Sequence, residues 1–358
     1  MEKKKAYLLA YQRATNYGAV LQLYALKIVL ERLGVVVSVI DYVPEWMKVT
    51  MKNQPTLLSY IKRRIMSFTF NSFLRQLNLT KRKFSSIDEM KQLLPAADYY
   101  FVGSDQVWNE RIMKQDLAYF LSFAPEKSVK VGYAVSMGNI PLSEEFLEDA
   151  RPYIQRFDSI SVRENYVSEF IANCKFELNT PVVLDPTLLL SGDDYTKVSP
   201  NKCYKQEYIA VYSCMHDQNL YELAKYLKRK TGLPLVNLGY HFKGPDKHEY
   251  MFGPGNWINR IRNAKYFITN SFHGTAFAVL FKRTFFTVPN QNHAQLGLNA
   301  RFMEFLTSIE LANRVVYSEQ DADAIIEQYI DFDKSHSLLE NRRIDALEFI
   351  KGALMKEL

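Results

Sequence analysis

The chain has 358 residues, too many for one compact core, because single cores stop growing at about 250–300 residues. At 47% hydrophobic and 14% aromatic, with 13 Pro and 14 Gly, it is neither disordered nor collagenous. Lys and Arg outnumber Asp and Glu by 45 to 39, for a net charge of +6, but the excess is local. Between Trp46 and Ile87 there is no acidic residue, while Lys48, Lys52, Lys62, Arg63, Arg64, Arg75, Lys81, Arg82 and Lys83 are all basic. Such a segment attracts phosphate-rich partners or an anionic membrane surface.

Three scattered cysteines, Cys174, Cys203 and Cys214, form no CxxC pair and fit a reducing compartment. The apolar run near the N-terminus is too short for a signal peptide, and no stretch reaches the roughly 20 apolar residues of a membrane span. A cytoplasmic protein is expected. There is no HxH, HExxH or acidic triplet, so neither a bound metal nor another cofactor is expected, and no nucleic-acid partner.

In chain order, the apolar run Ala6–Tyr11 predicts a strand and Val20–Leu30 a helix closed by Gly34. The β-branched run Val35–Asp41 predicts a second strand, completing a βαβ unit and hence a parallel sheet. After the basic segment, strands are expected at Tyr99–Val102, Val129–Val135, Ser159–Val162 and Val182–Leu184, with a helix near Ser143–Phe157. A polar stretch, Gly192–Gln206, marks the domain boundary. Beyond it come strands at Tyr208–Tyr212, Leu235–Leu238, Tyr266–Thr269 and Thr284–Val288, with helices at Asn219–Lys230, Trp257–Ala264 and Thr275–Phe281. The tail from Asp321 reads as helices. The expected architecture is α/β, with two Rossmann-like, doubly wound domains facing each other across a cleft. The domains are residues 1–195 with a basic insert at 46–87, and 196–320; helices at 321–358 pack back on the first.

Open α/β sheets bind ligands at the carboxyl ends of their strands, which makes the polar residues there the candidates. The most concentrated group is Thr269–Thr275, where Ser271, Gly274 and Thr275 open a helix and His273 offers an imidazole for acid–base chemistry. Asn16-Tyr17-Gly18 opens the first helix without a GxGxxG fingerprint. Arg163, just past a strand, could fork onto a carboxylate or phosphate, or pair with Glu164. Ser104, Asp105, Ser136 and Asp185 close other strands. Each group also reads as cap or turn chemistry. In the basic segment Ile61, Ile65, Phe68, Phe70, Phe73, Leu74 and Leu77 alternate with the charges. That pattern suits a membrane-surface contact, a cradle for a pyrophosphate-linked acceptor, or a helix with its apolar face in the core.

Together these blocks resemble the polysaccharide pyruvyl transferase family. The resemblance is carried, in order, by Asn16–Gln22, Val102–Asn109, Ser161–Glu164, Leu184–Thr187, Gly253–Gly255 and Thr269–Thr275. It implies a GT-B-like fold and transfer of pyruvate from phosphoenolpyruvate, as co-substrate, onto two hydroxyls of a sugar, forming a ketal and releasing phosphate. The product would be a surface or capsular polysaccharide precursor. His273 matches the family's catalytic histidine, and Arg163 an arginine implicated in phosphoenolpyruvate binding. Some relatives carry Arg two residues before that histidine. Here the position is Ser271, which leaves Lys282 or Arg301 to supply the cation. A lipid-pyrophosphate-linked acceptor would give the basic segment a role at the inner membrane face. Two other readings stay open: a nucleotide-sugar glycosyltransferase, with Glu249 the nearest acidic residue for a ribose, and a non-catalytic carbohydrate-binding relative.

Overall fold

The computed structural model describes residues 3–47, 57–138, 140–249, 252–291 and 299–356. The chain divides into two compact units, Met1–Leu189 with Arg342–Leu358, and Leu190–Asn341. The boundary thus falls at residue 189 rather than 195, and the return to the first unit begins at Arg342 rather than 321. The intervening tail belongs to the second unit, where Glu319 and Asp323 pair with Arg229 and Lys230, and His336 meets the Val279 carbonyl.

The first unit is built on six parallel strands: β1 (Lys5–Leu9), β2 (Val36–Tyr42), β3 (Leu79–Phe84), β4 (Tyr99–Val102), β5 (Val129–Val135) and β6 (Ser159–Val162). Their order is β3-β2-β1-β4-β5-β6. The chain winds outward from β1 to β3, returns to lay β4 beside β1, and winds out the other way. β4 and β5 are buried along their whole length, as parallel strands covered on both faces must be. The helix Tyr17–Arg32 is apolar nearly all round, and accordingly it is buried on nearly every face. Asn16 caps it by accepting from the Ala19 amide at 3.3 Å. The last helix, Phe332–Leu354, ends in this unit: Arg343 donates to the Leu188 carbonyl and Tyr99 to that of Leu354.

The basic segment contains a strand that the charge pattern conceals. Leu57–Leu74 is a helix packed through Phe70 and Phe73 onto Tyr17 and Tyr24, and β3 follows as the sheet's edge. An edge strand needs no inward alternation, and the exposed Lys81, Arg82 and Lys83 guard it against pairing with another chain. Lys48 and Lys52 lie outside the described residues, as do the side chains of Lys62 and Arg63. The segment expected at Val182–Leu184 forms only a single bridge, Val182 to Val162.

The second unit repeats the plan with five parallel strands: β7 (Ile209–Tyr212), β8 (Leu235–Asn237), β9 (Lys247–His248), β10 (Tyr266–Thr269) and β11 (Thr284–Thr287). Their order is β11-β10-β7-β8-β9. Ile209, Val211, Leu220, Leu227, Ile268 and Phe286 centre one face of its core. The two-residue β9 is too short to leave a pattern in the sequence. No helix among the described residues is long and apolar enough to cross a membrane.

Candidate functional site

Each sheet has one place where neighbouring strands send their chains in opposite directions, and there the loops part to leave a crevice. In the first unit it lies between β1 and β4, and in the second between β7 and β10. The polar residues singled out in the sequence follow these strands.

At the β1–β4 crevice lies a cavity of about 670 Å³. Tyr11, Arg13, Thr15 and Asn16 from the β1 loop form one wall, and Asp105 and Gln106 from the β4 loop another. Trp46 and Met47, then Arg64, Ser67, Phe68 and Asn71 of the basic-segment helix, complete it. Asp41 holds the Arg13 guanidinium through two bonds of 2.7 and 2.6 Å, and the fork also reaches Asn71. Trp46 donates its indole N–H to Asp116 at 3.2 Å, which fixes the ring at the cavity. Burial, and then the charges of Asp105 and Asp116, push the Tyr11 phenol well up, so it stays a hydroxyl. Aromatic faces beside fixed amides and a carboxylate suit a saccharide. Among the sequence candidates, only Asn16 and Asp105 line this cavity. Tyr17 is buried against Phe70 and Gly18 inside the helix, so both support the wall rather than face a ligand.

Arg163 lies deeper than the sequence suggests. Its side chain is 3% exposed and forks onto Asp185 at 2.8 Å, Glu164 at 3.0 Å and Ser136 Oγ at 3.2 Å, with Asp105 at 3.6 Å. Its affinity for a proton rises further, because the three carboxylates outweigh the desolvation that opposes it. Ser136 donates to Glu164, and Asp185 accepts from the Thr187 amide and hydroxyl. Ser104 is also fully buried, taking Gln22 on its amide and the Ala134 carbonyl on its hydroxyl. Ser104 is thus held inside the unit, and Ser136 and Asp185 belong to an internal network. Arg163 is its hub, and no donor carboxylate can displace three internal ones cheaply. Asp105 links the network to the cavity, with its backbone in the left-handed region at φ 62°.

At the second crevice, Ser271 caps the helix Phe272–Leu280 by accepting from the Gly274 amide at 3.4 Å. Thr269 donates to the Tyr212 carbonyl across the strands and accepts from the Ser271 amide. Asn270 reaches Asp217, which caps the helix Gln218–Thr231, so the two loops are tied across the crevice. His273 is 8% exposed in the first turn, its ring edge-on to Phe272, while Thr275 meets Thr287 at 2.9 Å. Asn290 and Asn299 exchange two hydrogen bonds that set the start of the helix Asn299–Ser308. That helix carries Arg301, half-buried in its first turn, on the carboxyl side of the sheet.

Lys282 does not join this group. It sits past the far end of the Phe272–Leu280 helix and before β11, at the amino edge of the sheet, and pairs with Asp333 at 2.6 Å. In a parallel sheet the residue preceding a strand lies at the opposite edge from the residues that follow strands. Of the two cations, only Arg301 is placed with His273. Glu249 is engaged as well: burial would raise its carboxyl, but hydrogen bonds from Arg260 and Lys247 outweigh that and hold it below the ordinary range.

Gly274 sits where a side chain cannot. A Cβ there would lie 2.5 Å from Thr269 Oγ1, the atom that joins Tyr212 to Ser271. Gly274→Ala is expected to cost about 1–3 kcal/mol in a urea titration, the usual penalty of overpacking.

The sequence missed most of the cavity. Trp46, Arg64, Phe68 and Asn71 come from the basic insert, and no motif joins them to Asn16. Asp217 and Asn290 follow β7 and β11, and the rule that ligands sit at strand ends could have found both.

Two doubly wound parallel sheets define an α/β protein of the GT-B-like type, and known structures agree. The chain is similar to a UDP-GlcNAc 2-epimerase from Methanocaldococcus jannaschii, at 10% identity and a TM-score of 0.52, over 94% of this chain and 99% of that one. The UDP-GlcNAc 2-epimerase from Neisseria meningitidis gives 10% and 0.52 over 99% and 100%. A putative UDP-N-acetylglucosamine 2-epimerase from Listeria monocytogenes gives 8% and 0.51 over 98% and 91%. At such identities the likeness speaks for the fold alone. No curated protein matches the chain in sequence. The model of the polysaccharide pyruvyl transferase family matches residues 16–292, from the cap of the first helix to beyond β11, and the chain belongs to that family.

Proposed function

We propose that the protein transfers pyruvate from phosphoenolpyruvate onto two hydroxyls of one sugar, closing a ketal and releasing phosphate. The observation that carries this reading is the family match, which takes in both crevices. The reaction adds two sugar oxygens to C2 of the donor while C3 becomes a methyl group. One hydroxyl proton ends on that methyl group, the other on phosphate. Making C2 electrophilic requires an acid at C3, the role given to His273. The donor's carboxylate and leaving phosphate are assigned to Arg301 and to the turn Ser271–Thr275, where the positive end of the helix favours anions. The acceptor saccharide is assigned to the cavity of the first unit, and the taking of a hydroxyl proton to Asp105, which lines it. Arg163 then acts through Asp105 as a positioning residue.

Calorimetric titration of phosphoenolpyruvate into the wild type and Arg301→Gln tests the donor assignment. Arg301→Gln should weaken binding about 10-fold or more, the worth of one charge-assisted hydrogen bond. Phosphate release from phosphoenolpyruvate with candidate saccharides tests the reaction. Release of a nucleoside diphosphate from a sugar nucleotide, with none of phosphate, would overturn it.

A further inference from the structure

The basic-segment helix Leu57–Leu74 is apolar on two opposite sides. Phe70, Phe73 and Leu74 are buried on one, against Tyr17 and Tyr24. Ile61, Ile65 and Phe68, spaced i, i+4 and i+7, fall about half a turn away from that side. They are 45%, 42% and 75% exposed, so packing among the described residues does not account for them. Phe68 is one of the most exposed large apolar side chains in the protein. The charge of the segment that carries this face has a single sign. Arg64 and Arg75 are exposed on the helix and its following turn, Lys81, Arg82 and Lys83 on β3, and no acidic residue interrupts Met47–Ser86.

We propose that this face docks the protein peripherally on an anionic lipid bilayer. The three side chains enter the headgroup boundary while the surrounding cations meet lipid phosphates. Charge complementarity favours the bilayer over a second copy of the chain, since two such basic faces would repel each other. The position also has a use. Phe68 and Arg64 line the cavity at the β1–β4 crevice, so docking would hold its mouth at the bilayer surface. That suits an acceptor saccharide carried on a lipid. The docking itself does not depend on the donor chemistry.

Flotation with vesicles tests the proposal. The full-length protein should float with phosphatidylglycerol-rich vesicles and not with pure phosphatidylcholine, and added salt should release it. The double variant Ile65→Ser, Phe68→Ser should bind at least 10-fold more weakly, with an unchanged melting temperature because both positions are exposed. Arg82→Glu with Lys83→Glu should weaken binding by on the order of fivefold per residue without touching the apolar face. Absence of binding to anionic vesicles would overturn the proposal, as would binding that both double variants retain. So would a dimer in sedimentation that the Ile65 and Phe68 replacements dissolve, because that would assign the face to a second copy.

Discussion

Replacing His273 by Ala is expected to lower kcat by about 10²–10⁴-fold, the usual worth of a positioned general acid, with the melting temperature little changed. In the proposed reaction the donor's enol carbon is unreactive toward a hydroxyl until C3 takes a proton, so loss of the acid would strike the chemical step. Donor binding should change far less, because the anionic groups are assigned to Arg301 and the helix turn, which the substitution leaves in place. His273→Gln separates acid chemistry from hydrogen bonding: it keeps a polar group in the turn but cannot deliver a proton to C3. It should therefore be as slow as His273→Ala. If His273 only braces the loop, Gln should restore activity. The ring lies beside the cap that Ser271 makes with Gly274, so melting curves of both variants must accompany the kinetics.

Strands buried on both faces were legible, because burial leaves a continuous apolar run. Tyr99–Val102 and Tyr266–Thr269 stand in the structure where the sequence puts them. Edge strands were not. β3 carries Lys81, Arg82 and Lys83 in succession, a pattern that reads as a solvated helix because an edge is under no demand for alternation. The position of His273 was legible for a related reason, since a strand, a capping serine and a helix follow one another without a gap. Of the partners of Arg163, the neighbouring Glu164 was legible and the other two were not. Asp105 and Asp185 follow other parallel segments and meet the guanidinium because the sheet aligns their carboxyl ends. Lys282 failed as a candidate because nearness to a strand in sequence does not say which edge of the sheet a residue occupies. The cavity residues of the basic insert were hidden by distance: Asn16 and Phe68 share a wall only once the insert folds over the first helix.

Arg163→Ala is expected to cost about 3–5 kcal/mol, the penalty of stripping a buried ion cluster of its cation. Against a total stability of about 5–15 kcal/mol, that is a large share. The guanidinium is the group that Asp185, Glu164 and Asp105 have in common. Without it, two fully buried carboxylates and one half-buried one remain together, and Glu164 already has one oxygen buried without a hydrogen-bond partner. Desolvation and mutual repulsion then act on them without a cation to offset either. Arg163→Lys keeps the charge but not the fork, and should fall between the two. Arg163→Met combined with Glu164→Gln and Asp185→Asn removes the uncompensated charge and should recover part of the loss. Urea titrations followed by the fluorescence of Trp108, buried in the same unit, would measure all three variants. Direct donor binding by Arg163 predicts the contrary pattern: a loss of phosphoenolpyruvate affinity with stability intact. The buried cluster predicts that stability falls first, and that activity falls with it as Asp105 loses its anchor.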